Sequence, residues 1–462
     1  MGRSERVAAG GLGAVAVLAG IAVVRITSAG PATSADGLTY LQMAAGQVPI
    51  EQPVNGHFPV GYPFAIAAAE AVGFGRLDAA RAIAVLAVMA NVVLAGAIAW
   101  RAAGPRWSWP SALLVAVGAP LATLYAGVFS EPLFVTVLLA TVLVLGFEGR
   151  GWSGVAGVLA GVSMFVRFAG VGVVGGGALL LLLRGRRDRL ARFLAGAIVP
   201  ALVWFLSYRR GINGGDRAVA WHPPGRRAWG GALKAMSTWV LGHPAGSVLG
   251  AIVGVGAVLL LLRARRLPGG DVLLPMAAAY VVMLVVTVVA IDALTPLDGR
   301  LLSPLLVIVA LALPALSTLS TSRRRWLGWG LAMVVVALHM QTDAHLLRRH
   351  GLDALDLADS PTVAAAAQLD GPIASNGPAA LWLFDVESAW IPRKENPLTD
   401  RADPDFERDI AALRKTLGPG AYVVWLDEFS YRHYLPSEAE LAQLLDAELE
   451  ARYPDGAVYR LR

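Results

Sequence analysis

The 462 residues are 56% hydrophobic and 16% charged, with a mean hydropathy of +0.59; a soluble domain carries about 25% charged residues, so a bilayer is the expected solvent for most of this chain. The formal charge of +6 is distributed as short arginine clusters between apolar runs, which reads as a topology signal and excludes nucleic acid as a partner. With no cysteine, disulfides, thiolate catalysis and zinc–thiolate sites are excluded too.

The first apolar run, 7–26, follows Arg3 and Arg6 and looks like a signal peptide in its charged start. At roughly 20 residues it is longer than an h-region of about 7–15 and long enough to span, so a retained first helix is expected. Further spans are expected at 79–100, 109–126, 132–147, 152–166, 169–183, 193–208, 245–262, 272–291, 301–318 and 326–342. A single helix over 152–183 would be about 48 Å long, against a hydrocarbon core of about 30 Å; two helices broken around Arg167 fit better.

Charge parity supports that division. With the N-terminus inside, the inner connections hold Arg3 and Arg6, Arg101 and Arg106, Arg150, the cluster from Arg184 to Arg192, Arg263 to Arg266, and Arg323 to Arg325. Merging 152–183 into one span would move the last three clusters outside, against the positive-inside rule. The expected fold is thus mainly α, a polytopic transmembrane helical bundle of about eleven spans in the plasma membrane.

Residues 1–343 form its membrane domain, with an outer loop at 28–78, and 344–462 form a small extracytoplasmic α/β domain. Short strands are expected near 372–376 and 421–426, and helices over 404–417 and 437–452. The outer loop 209–244 breaks the charge rule with Arg209, Arg210, Arg217, Arg226, Arg227 and Lys234, an excess of cations suited to holding phosphate.

Several residues carry chemistry in principle. Asp36 follows the first helix closely, where it would serve as a general base over the membrane surface or as a helix N-cap. His222 lies in Trp221-His222-Pro223-Pro224, which would cover a binding groove, with interfacial anchoring as the competing role for Trp221, Trp229 and Trp239. Gly170-Val171-Gly172-Val173-Val174-Gly175 matches a dinucleotide fingerprint in spacing, but it lies in an apolar span with no soluble strand before it. It and Gly157 with Gly161 read as helix-packing glycines. No His or carboxylate cluster has metal-ligand spacing.

Asp36 with Tyr40, followed by His57-Phe58-Pro59-Val60-Gly61-Tyr62-Pro63, resembles the first-loop pattern of the GT-C superfamily of polyprenyl-phosphate-sugar glycosyltransferases, the protein mannosyltransferase and lipid A aminoarabinose transferase type. Ser130-Glu131-Pro132-Leu133-Phe134 is similar to that family's Ser-Glu-Pro turn, Phe165-Val166-Arg167-Phe168-Ala169-Gly170 to its Arg-bearing break, and Asp298-Gly299-Arg300 to a late Arg segment.

The resemblance implies transfer of a sugar, with inversion, from a polyprenyl-phosphate donor to a hydroxyl of a cell-envelope glycan, lipid or protein, with Asp36 as base. The leaving lipid phosphate gains negative charge, which a preorganised cation would stabilise; Arg300, Arg167 and Lys234 are the candidates. Arg300 has structural pairing with Asp298 or Asp292 as its alternative, and Glu131 either contacts the donor sugar or pairs with Arg167. Tyr40, Tyr62, His57, His222 and Asp298 complete the candidate substrate site, His57 and Tyr62 having polar-loop and interfacial roles as alternatives. No cofactor is expected; the need for a divalent metal stays open, since Asp36 is followed by Gly37 where many relatives have adjacent acids. A transporter or flippase using the same charges as a pathway, and a non-catalytic scaffold, are the competing readings.

Overall fold

The computed structural model describes residues 2–28, 30–46, 58–147, 149–211, 221, 226–291, 295–318, 322–348, 357–396, 401–430 and 432–462. These form two compact units, Met1–Ala32 with Gly56–Leu352, and Thr33–Asn55 with Asp353–Arg462. The stretch expected as a single outer loop, 28–78, thus contributes to both.

In chain order the first helices are α1 (Arg3–Ile26), α2 (Ala35–Ala44), α3 (Gly61–Ala71), α4 (Arg76–Ala103), α5 (Pro105–Val117), α6 (Ala119–Tyr125), α7 (Glu131–Leu145) and α8 (Arg150–Val166). They continue with α9 (Gly170–Leu183), α10 (Arg187–Gly211), α11 (Arg226–Leu241), α12 (Ser247–Ala264), α13 (Leu273–Val286), α14 (Gly299–Ala312) and α15 (Ser322–Arg348). All but α2 belong to the first unit.

A helix lies on every expected span, and the break at Arg167 falls where helix length required it. Among the described residues, 5 helices are long and apolar enough to cross a membrane, or up to 6 if the bent pair α5 and α6 is one span. Helices α7, α8 and α9 are apolar but shorter; a 15-residue helix such as α7 reaches only about 22 Å.

Close backbone approach explains Gly157 and Gly161 of α8. A Cβ on Gly157 would stand 1.9 Å from the Phe193 carbonyl oxygen of α10, so any side chain would push the helices apart. Without a hydrophobic driving force between helices in lipid, small-residue contacts of this kind supply the packing. Gly172 likewise faces the Tyr280 backbone, with a Cβ position 3.0 Å from its Cα.

The bend of 54° between α5 and α6 follows from Gly118 and Pro120, which interrupt the helical hydrogen-bond ladder. The Ala119 amide at the new helix start donates to His339 Nδ1 at 2.9 Å. Because Nδ1 accepts, Nε2 carries the proton and donates to the Trp239 carbonyl at 3.2 Å. His339 is fully buried, a neutral pin through α6, α11 and α15. Trp239 is buried in the core rather than at an interface, which corrects the expected anchoring role; Trp221 and Trp229 are exposed. The cause is α11 itself, an unexpected helix within 209–244 that packs against α12, α14 and α15.

The second unit is built on a five-stranded sheet, with β1 (Ile373–Ser375), β2 (Ala389–Trp390), β5 (Tyr422–Leu426), β6 (Ala447–Tyr453) and β7 (Gly456–Leu461) in the order β2-β1-β5-β7-β6. Between them β3 (Glu395–Asn396) and β4 (Arg401–Ala402) form a separate pair. β1 is parallel to β2 and β5, and β7 is antiparallel to β5 and β6. Alternation along β5 sends Tyr422, Val424 and Leu426 into one core and Val423 and Trp425 into the other, as a period of two requires.

The first core also takes Leu38 of α2, which lies against α17 (Pro378–Trp382); the short α16 (Pro361–Ala366) lies against β5 and β7. The second core takes Phe406, Ile410, Leu413 and Leu417 from one face of α18 (Phe406–Leu417), and Leu441 and Leu445 from α19 (Glu438–Leu445). The helix expected over 437–452 ends early because Asp446 adopts a left-handed backbone, φ 54°; the chain then reverses into strand β6, closed on β7 as a hairpin.

Candidate active site

The first unit gathers the Ser-Glu-Pro turn, the Arg-bearing break and the late arginine. Pro132 is pre-set for the first helical turn and lacks the amide that would have no partner there, so α7 begins at Glu131 with Ser130 as its N-cap. The turn is bolted from behind by Asn91, whose Nδ2 donates to the Pro132 carbonyl at 3.2 Å and to the Tyr125 hydroxyl at 3.2 Å. Thr136 Oγ1 donates to Asn91 Oδ1 at 2.8 Å.

Arg167 leaves α8 in an extended conformation, φ −152° and ψ 144°. That backbone carries its guanidinium to the turn: Nη1 donates to Ser130 Oγ at 3.0 Å and stands 2.6 Å from Glu131 Oε1. Arg300 enters from the start of α14, with Nε 3.5 Å from the same carboxylate oxygen and its guanidinium 5.9 Å from the Phe129 ring centroid.

Asp298 caps α14, its Oδ1 accepting from the Leu301 amide at 3.0 Å, so its charge is set against the positive end of that helix. The Tyr280 hydroxyl donates to the Leu301 carbonyl at 2.9 Å and steadies the same turn.

Burial sorts the roles. Glu131 is 2% exposed, Arg167 13% and Arg300 25%, so the carboxylate is the most enclosed of the three side chains. Glu131 pairs with Arg167, one of the two roles open to it from sequence, and with Arg300 as well. Two arginines thus share one buried carboxylate. A guanidinium grips phosphate through parallel hydrogen bonds.

The remaining candidates lie as follows. Tyr62 is fully buried in the first turn of α3, whose start lies on the end of α8: a Cβ on Gly61 would stand 2.7 Å from the Phe165 carbonyl oxygen. Lys234 is exposed on α11. His57, His222 and Asp292 lie outside the described residues.

Asp36 and Tyr40 belong to the second unit. Ser34, not Asp36, caps α2, its Oγ accepting from the Gly37 amide at 3.1 Å. The capping role expected for Asp36 is corrected accordingly: it is half-buried in the first helical turn, with Tyr40 buried one turn on.

Asn91, Thr136, Phe129 and Tyr280 were not foreseen. Asn91 carried a signal, a lone amide in the middle of an apolar run. Among the described residues no group of three or more His, Asp or Glu is arranged to hold a metal ion.

No protein-family profile and no curated protein matches the chain. Among solved structures it is similar to ArnT from Cupriavidus metallidurans bound to undecaprenyl phosphate, with a TM-score of 0.61 and 15% identity over 97% of each chain. It is also similar to an oligosaccharyltransferase from Archaeoglobus fulgidus, with a TM-score of 0.52 and 12% identity over 97% of this chain and 73% of that one. Both are GT-C glycosyltransferases. At these identities the likeness shows the fold alone, and this chain shares the fold of those two proteins.

Proposed function

We propose that the chain is an integral membrane glycosyltransferase that moves a sugar from a polyprenyl-phosphate donor to a hydroxyl acceptor, with inversion. The observation that carries this reading is the convergence of Arg167 and Arg300 on Glu131, in the fold of a transferase solved with undecaprenyl phosphate. In the reaction the bond from the anomeric carbon to the donor phosphate oxygen breaks and a bond to the acceptor oxygen forms. The phosphodiester, with one negative charge, leaves as a polyprenyl phosphate monoester carrying a second. Cations that meet this growing charge lower the barrier, and in a site already held in place they do so without reorganising.

Arg167 and Arg300 take that role, and Glu131 holds them in register. Asp36 is assigned the base that accepts the acceptor hydroxyl's proton. The reading also assigns eleven spans, an inner N-terminus and an extracytoplasmic second unit, and it is supported by the run of arginine clusters at alternate helix ends.

The test is release of polyprenyl phosphate from a polyprenyl-phosphate-sugar donor in membranes containing the full chain and an envelope extract as acceptor. Asp36→Asn is expected to abolish release while the protein stays folded in the membrane. Full activity in that variant would remove Asp36 as the base.

A further inference from the structure

A second cationic feature lies at another set of helix ends, built from residues outside the Glu131 cluster. A recess of about 730 Å³ opens between the starts of α5 and α15, lined by Arg106, Trp107, Trp109, Arg325, Trp326 and Trp329, with two serine hydroxyls beside them. Its volume falls within the range of small-molecule sites, about 300–1,000 Å³.

The walls are organised. Trp329 Nε1 donates to the Arg106 carbonyl at 3.3 Å, and the Arg106 guanidinium lies 5.5 Å from the Trp326 ring centroid. Trp326 and Trp329 meet edge to face with centroids 6.1 Å apart. Trp326 is nevertheless 58% exposed, a large apolar ring left uncovered. Among the described residues no acidic one lines the recess, and Arg323 and Arg324 adjoin it in sequence.

We propose that this recess binds the headgroup of an anionic phospholipid. The occupant follows from chemistry: two guanidiniums without a lining carboxylate select a phosphate, and hydroxyls add donors to its oxygens. Indole rings at the ends of apolar helices sit where hydrocarbon gives way to headgroups. An occupant with a charged head and apolar chains satisfies both parts of the lining, whereas a soluble anion would leave Trp326 uncovered. The bound lipid would tie α15 to α5.

The test is native mass spectrometry of the full chain released from detergent with equal amounts of phosphatidylglycerol and phosphatidylcholine. Wild type is expected to retain phosphatidylglycerol preferentially, and Arg106→Gln and Arg325→Gln each to lower that preference by about fivefold. Arg323→Gln, beside the recess but outside its lining, is expected to leave the preference intact. Should Arg106→Gln lower the melting temperature, the exposed Arg325 carries the test alone. Equal retention of the two lipids by wild type, an equal loss in Arg323→Gln, or complete displacement of phosphatidylglycerol by millimolar inorganic phosphate would each overturn the proposal.

Discussion

Arg167 Nη1 stands 2.6 Å from Glu131 Oε1, joining a helix break to a helix start across 36 residues of chain. The carboxylate is enclosed and also faces Arg300 at 3.5 Å, so its charge serves two cations at once. Glu131→Gln keeps the shape and removes the charge, leaving two guanidiniums side by side. The expected destabilisation is about 3 kcal/mol, the low end for breaking a buried pair, because the two arginine side chains are less buried than the carboxylate. Thermal unfolding in detergent measures it, and an unchanged midpoint would show that the cluster is not held by charge.

Arg300→Lys separates charge from geometry. Lysine keeps the cation but loses the planar fork that matches phosphate. Turnover at saturating donor is expected to fall about 100-fold, the lower range for losing one preorganised donor. Wild-type turnover in this variant would assign the phosphate to other groups.

His339→Leu tests the pin through the α5 and α6 bend. The substitution leaves the Ala119 amide and the Trp239 carbonyl without their partner, at about 1–3 kcal/mol for each buried group stranded. The expected signature is a lower melting temperature with turnover per folded molecule unchanged.

The second unit offers a pH test. Glu440 accepts from Lys394 Nζ at 2.8 Å; that hydrogen bond holds the Glu440 carboxyl below its ordinary value and the Lys394 ammonium above its own. The Glu440 contribution is present above its unfolded value of about 4.3 and is lost as pH falls through the folded value. The Lys394 contribution is present below about 10.4 and is lost as pH rises through its folded value. Lys394→Met should therefore melt below wild type at neutral pH, with the gap closing in acid and in strong base. A gap that ignores pH would mean that packing, not charge, is lost.

Topology has its own test, made clean by the absence of native cysteine. Ser430 is exposed, and Ser430→Cys should react with a membrane-impermeant thiol reagent on intact cells. Labelling only after permeabilisation would overturn the assignment of the second unit to the outside.

Much of this arrangement was legible before the structure. Helix length against bilayer thickness required the break at Arg167, and the span expected at 132–147 matches α7 closely. Pairing of Glu131 with Arg167 was one of the two roles the sequence left open, but Arg300 joining the same carboxylate was not legible, because it depends on which helix ends meet, and periodicity carries no such information. Helix α11 was hidden by Arg226, Arg227 and Lys234, which lower its apparent hydropathy although Ala232, Met236 and Trp239 recur at helical spacing. The end of α19 turned on one residue, Asp446, whose left-handed conformation no apolar pattern reveals.

Sugar transfer from a polyprenyl-phosphate donor requires recognition of the lipid phosphate, the role proposed for Arg167 and Arg300. The decisive measurement is equilibrium binding of polyprenyl phosphate and of phosphate-free polyprenol to the full chain in nanodiscs, for wild type and for the Arg167→Gln, Arg300→Gln double variant. Wild type is predicted to prefer the phosphate, and the double variant to lose that preference while keeping its affinity for polyprenol. Equal binding of the two lipids by wild type, or a preference that survives in the double variant, would contradict the account.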